Sequence, residues 1–95
     1  MAPEIEIKTS EVQSKYEFQV TVQDARTSTQ HRVSLSKADY ERLVGGTGAS
    51  PERLVSASFR FLLEREPKES ILRSFDLMVI SHYFPEYERE IQKRL

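Results

Sequence analysis

One apolar segment constrains the fold more than any other part of the chain. In "PERLVSASFRFLLERE" (51–66), the apolar side chains placed at about 100° per residue cover roughly 240° of a helix surface. A helix on the surface of a globular protein needs an apolar face of only about 100°. The pattern therefore predicts a helix that either occupies the centre of the core or buries a second face against another chain.

Two segments before this helix alternate apolar and polar side chains. The apolar residues occupy every second position in "YEFQVTV" (16–22), and "HRVSLS" (31–36) repeats the pattern. A period of two is typical of a strand with one buried face. A polar run separates the two segments, which predicts an antiparallel hairpin. Residues 4–8 alternate as well, and they are compatible with either a third strand or a frayed terminus.

The other predicted elements are short helices. Ser36 begins a capping box for a first helix, which ends at Gly45. Pro67 ends the long apolar helix, because the residue before a proline resists helical angles. Three helical pieces are then predicted over residues 67–75, 77–84 and 85–95.

These elements predict the α+β fold class. An N-terminal antiparallel β-hairpin, with residues 4–8 as a candidate third strand, is expected to pack on a bundle of four to five short helices. A chain of 95 residues has the length of a single domain. The hairpin region is predicted in 1–36 and the helical region in 37–95.

All the glycines lie in one stretch, "GGTGASP" (45–51). A P-loop needs a strand before the glycines and a lysine after them, and both are missing. A dinucleotide-binding fingerprint fails as well, because Pro51 occupies the place of its third glycine. The stretch is interpreted as a turn in which glycine ends one helix, and Ser50 with Pro51 begins the next.

The sequence offers little for catalysis. The absence of cysteine excludes a disulfide framework, a thiolate nucleophile and a cysteine zinc site. His31 and His82 are far apart in the chain, and the nucleophile motif G-x-S-x-G is absent. The many carboxylates are explained by caps, helix starts and solvated faces. We therefore expect no enzyme, no cofactor and no metal site.

The net charge and the hydropathy of the chain limit the classes of partner that are expected. Fourteen basic residues balance fifteen acidic ones, so nucleic acid and anionic membranes exert no global attraction. The N-terminus has no apolar core of signal-peptide length, and no apolar run approaches about 20 residues. The expected compartment is the cytoplasm, with no membrane as partner.

An aromatic cluster near the C-terminus has two interpretations. Tyr83, Phe84 and Tyr87 fall within five residues. They either form an exposed anchor for a partner protein or fill a corner of the core where two helices meet.

Residues 32–66 resemble a known family. The predicted ribbon "RVSLS", first helix "KADYERLV" and second helix "TGASPERLVSASFRFLLERE" are similar to the ribbon-helix-helix DNA-binding regulators and antitoxins. Members of that family commonly have a Gly-x-Ser turn before the second helix, matched here by Gly48 and Ser50. They also build an intertwined dimer core from that helix.

The resemblance implies a set of DNA contacts. Outward side chains of a paired ribbon would enter the major groove, and on this chain these are Arg32, Ser34 and Ser36. Backbone amides at the start of the second helix would hold a phosphate near Ser50 and Arg53.

Two functions are therefore expected. The first is a small non-enzymatic interaction domain that acts by protein–protein contact, with another protein or a second copy of itself as partner. The alternative is a ribbon-helix-helix-like DNA-binding regulator or antitoxin. Residues 32–66 hold six basic and five acidic residues, which suits a duplex poorly. Pairing of strand 31–35 within the chain, or across a dimer, distinguishes the two.

Overall fold

The computed structural model describes residues 3–95, which form a four-stranded sheet and the helices that cover one of its faces. The strands are β1 (Glu4–Val12), β2 (Lys15–Gln23), β3 (Ser28–Ser36) and β4 (Ser74–Asp76). The helices are α1 (Lys37–Val44), α2 (Pro51–Leu63), α3 (Val79–Tyr83) and α4 (Tyr87–Lys93), and a 3₁₀ turn spans Lys68–Ser70. The predicted α+β class with an N-terminal sheet is confirmed.

The sheet is wider than the predicted hairpin. Its strands follow the order β1-β2-β3-β4. β1 pairs antiparallel with β2 along the whole strand, and β2 pairs with β3 in the same way. Residues 4–8 are thus part of a third strand, which continues to Val12. β4 adds a parallel neighbour to β3 at Arg32–Ser34.

Alternation gives the sheet two different faces. The inner face carries buried side chains from the two central strands, namely Phe18, Val20, Val22, Val33 and Leu35. The side chains between them point the other way and are polar. The helices lie on the inner face, so the outer face is open and hydrophilic.

α2 is the central helix of the core. Its apolar side chains are buried within the chain, namely Leu54, Val55, Phe59, Phe61 and Leu62. The sheet contacts one side of this helix, and α4 contacts another. The wide apolar face predicted for α2 is therefore explained by the core, and it needs no second chain.

The glycine stretch is the turn between α1 and α2, as predicted. Gly45 ends α1 in the left-handed conformation, with φ of 55°, where a Cβ would be strained. The Ser50 hydroxyl accepts a hydrogen bond from the Arg53 backbone N–H at 3.1 Å and so caps α2. The Ser36 hydroxyl caps α1 in the same way, at 3.0 Å from the Asp39 nitrogen.

The helix predicted over 67–75 is wrong. That segment contains the 3₁₀ turn and then β4. The Arg32 backbone N–H donates to the carbonyl of Arg73 at 2.7 Å, and the Leu77 N–H donates to Ser34 at 2.9 Å. These bonds satisfy an edge of β3 that a helix would have left unpaired. The last two predicted helices exist in shorter form, as α3 and α4.

Candidate functional site

An apolar groove opens on the surface between the end of α2 and α3. Its volume is about 240 Å³. The walls come from α2, from the segment that leads into β4, and from α3. The apolar side chains that form the walls are Leu62, Ile71, Phe75, Val79, Ile80 and Phe84.

Two large apolar side chains stand at the rim of this groove. Leu72 is 49% exposed and Tyr83 is 65% exposed, and both line the groove. Scattered single apolar residues on a surface are ordinary. Leu72 and Tyr83 differ from such residues because they adjoin the apolar walls of a groove and extend them towards solvent.

A buried histidine fixes one side of the rim. His31 is 4% exposed, and its Nδ1 lies 2.7 Å from the carbonyl oxygen of Leu72. Because a carbonyl can only accept, Nδ1 donates this bond. In the neutral ring, Nε2 then accepts from the Thr29 hydroxyl at 2.8 Å. The backbone of Leu72 is anchored inward through His31, and its side chain is left facing solvent.

The groove carries one carboxylate. Glu66 is the charged residue of the lining, and it is half-buried. Among residues 3–95, no basic side chain forms an ion pair with it. The neighbouring Arg65 is engaged elsewhere, with its guanidinium 3.6 Å from the ring centre of Phe61. The groove is therefore apolar with a single negative charge.

The structure separates the three predicted partner contacts. Tyr83 and Phe84 line the groove. Tyr87 is fully buried, and its hydroxyl lies 2.6 Å from the Ser58 hydroxyl. Burial raises the pKa of Tyr87 well above its usual range. Tyr87 is thus a core residue, and its prediction as a surface contact is corrected.

The predicted DNA contacts lie in two layers of the molecule. Arg32 and Ser34 are on the outer face of the sheet, where the Ser34 hydroxyl donates to Asp76 at 3.1 Å. Ser36 and Ser50 cap α1 and α2. Arg53 is exposed on α2, in the helical layer.

The pairing of β3 is relevant to the predicted DNA binding, because the ribbon-helix-helix resemblance expects this strand to pair across a dimer. β3 has β2 on one side and β4 on the other. The strand that would form a ribbon across a dimer is thus paired within the chain. DNA binding stays a prediction, which a mobility-shift assay with random duplex at low salt tests, since the electrostatic attraction is strongest there.

Within 3–95, the histidines and carboxylates form no group of three that could hold a metal ion. None of the helices in this range has the length and apolarity that crossing a bilayer requires. No protein-family model matches the chain, and neither a curated protein nor a solved structure matches it at a significant level.

Proposed function

We propose that the chain is a small non-enzymatic interaction domain that binds another protein through the apolar groove. The observation that carries this proposal is the exposure of Leu72 and Tyr83 on the rim of an apolar concavity. A pocket for a drug-sized ligand or cofactor has a volume of about 300–1,000 Å³, which exceeds the groove's volume of about 240 Å³. The size suits apolar side chains that project from a partner's surface.

The charge of the groove narrows the partner. Glu66 brings a half-buried carboxylate to a mostly apolar lining, and no basic side chain of the described residues forms an ion pair with it. A partner that buries this carboxylate must supply a cation, because an unpaired charge is costly to desolvate. The expected occupant is a protein segment with apolar anchors for the walls and a lysine or arginine for Glu66.

A displayed library of random peptides tests this proposal. Peptides selected on the wild-type protein are expected to combine apolar side chains with a lysine or arginine. Their binding should weaken by about tenfold or more on Tyr83→Asp, because a charge then enters the apolar rim. Val12→Asp is the matched control, since Val12 is 43% exposed and is not part of the groove lining.

Glu66→Lys distinguishes the contribution of the carboxylate to peptide binding from that of the apolar walls. The groove should then favour peptides with an acidic residue in place of the basic one. Chemical shift changes on titration of a selected peptide should include Leu72, Tyr83 and Phe84. The proposal fails if selected peptides bind wild type and Tyr83→Asp equally, or if no peptide is enriched.

A further inference from the structure

β1 is a long edge strand that has neither a bulge nor a proline to prevent pairing. Over the described residues, β2 is its neighbour on one side and no strand lies on the other. It pairs with β2 without interruption from Glu4 to Val12, and it contains no proline. Natural edge strands are commonly short, bulged or interrupted by proline, because an open row of backbone N–H and C=O groups invites another strand. β1 has none of these features, and its protection against pairing is limited to charged side chains such as Lys8.

The charges on β1 are complementary to those of a second β1. When two copies pair antiparallel around Ile7, Glu6 of one copy lies opposite Lys8 of the other. The two-fold symmetry repeats this opposite-charge pair. On the inner face, Ile7 then lies opposite Ile7, and Ile5 lies opposite Thr9.

The neighbouring symmetric registers each introduce a like-charge pair. Centring the pairing on Glu6 places Glu6 opposite Glu6, although Glu4 then lies opposite Lys8, and centring it on Lys8 places Lys8 opposite Lys8. Like charges directly opposite each other destabilise a sheet. Within the chain, Glu6 and Lys8 face Thr21 and Gln19 of β2, so their charges are not used to hold the monomer together.

We infer that the chain forms a symmetric dimer in which the two β1 strands pair antiparallel, centred on Ile7. This joins the two sheets into one continuous sheet. It also covers the partly buried side chains of Ile5 and Ile7 at the former edge. The interface is independent of the apolar groove, which lies between α2 and α3.

Charge exchange tests the register. Sedimentation over a range of concentrations is expected to show a monomer–dimer equilibrium for the wild type. Lys8→Glu should raise the dissociation constant of the dimer by about tenfold, because both Glu6–Lys8 pairs across the interface become repulsive. The double variant Glu6→Lys with Lys8→Glu should restore the dimer. Glu4→Lys is the control, since Glu4 would face the neutral Ser10.

A cysteine probe tests the centre of the pairing. The natural chain has no cysteine. Ile7→Cys should form a disulfide-linked dimer under oxidation, because opposing Cα atoms of an antiparallel pair lie about 4.5–5.5 Å apart. Lys8→Cys should not, since its own counterpart lies roughly 8 Å away. A strict monomer at millimolar concentration, or a dimer insensitive to charge exchange, overturns the inference.

Discussion

The hydroxyl of Tyr87 is buried, and its hydrogen-bond partner is the side chain of Ser58. Ser58 Oγ lies 2.7 Å from the carbonyl oxygen of Leu54 and 2.6 Å from the Tyr87 hydroxyl. Because the carbonyl can only accept, Ser58 donates to it, and the Tyr87 hydroxyl donates to Ser58. One small side chain therefore satisfies two polar groups that α2 and α4 bring into the core.

Because Tyr87 donates to Ser58 and Ser58 donates to Leu54, removing the Ser58 hydroxyl should destabilise the fold more than removing the Tyr87 hydroxyl. Ser58→Ala leaves the Tyr87 hydroxyl buried without an acceptor, and it should cost about 1–3 kcal/mol of unfolding free energy. Tyr87→Phe leaves Ser58 bonded to Leu54, and it should cost only about 1 kcal/mol. Urea unfolding of both variants and the double variant measures this, and the double variant should lose less than the sum. Equal losses for the single variants would contradict the assigned donors.

Residue-level prediction failed where exposure depends on how short helices meet. The spacing of Tyr83, Phe84 and Tyr87 was compatible with both a surface anchor and a core corner. The structure divides the set, because the chain bends between α3 and α4 and carries Tyr87 inward. His31 was detectable, since it has the same alternation as Val33 and Leu35, whose side chains are buried. Its bond to Leu72 links residues 41 positions apart, and no local pattern reveals such a contact.

At the level of the element, the start of α2 is determined by its first residues. The Ser50 hydroxyl receives the Arg53 N–H, and Pro51 occupies the first turn. Ser50→Ala should lower the unfolding free energy by about 1 kcal/mol, because a free N–H of the first turn loses its acceptor. Ser56→Ala, inside α2, should be neutral or slightly stabilising, since alanine is the better helix former. Thermal unfolding of the two variants compares them, and a Ser50→Ala protein as stable as wild type would refute the cap.

The sequence predicts the elements that have local signals, and it does not predict β4, which has none. α1 and α2 have caps, a glycine stop and apolar spacing within a few residues of each other. β4 has three residues, Ser74–Asp76, which are too few to show an alternating pattern. It becomes a strand because β3 offers an open edge about 40 residues earlier in the chain. The segment that leads into β4 also lines the groove, so the sequence does not predict the shape of the groove either.

At the scale of the whole molecule, ion pairs join segments that are distant in sequence. Lys68 is 6% exposed, and its ammonium lies 2.5 Å from Asp24 and 2.6 Å from Glu69. This contact fastens the loop between β2 and β3 to the turn that follows α2. Arg94 makes two bonds to Glu64, at 2.8 and 2.7 Å, and so joins the C-terminal end of the chain to the end of α2. Some of the basic and acidic residues, which are nearly equal in number, therefore stabilise the fold by pairing with each other.

These contacts set the response of the fold to acid. The ammonium of Lys68, followed by the backbone N–H groups of Thr27 and Arg26, holds the pKa of Asp24 well below its usual value. The pKa of Glu69 is lowered beside Lys68, and that of Glu64 is lowered beside Arg94. Each carboxylate binds a proton more readily in the unfolded chain, so each contributes stability above the unfolded pKa of about 4. That stability is lost as the pH falls through the lower folded values.

Asp24→Asn isolates the contribution of the Lys68 contact. The variant should be less stable than wild type at pH 7, and it should lose less stability between about pH 5 and pH 2, because the group that must be protonated is gone. Urea midpoints across this range measure both effects. Ser58→Ala is the control, since its hydroxyl contacts the Leu54 carbonyl and the Tyr87 hydroxyl and no carboxylate; it should destabilise the fold and keep the slope of the wild type. An Asp24→Asn protein whose midpoint falls as steeply as that of the wild type would show that Lys68 does not stabilise the fold through the Asp24 carboxylate.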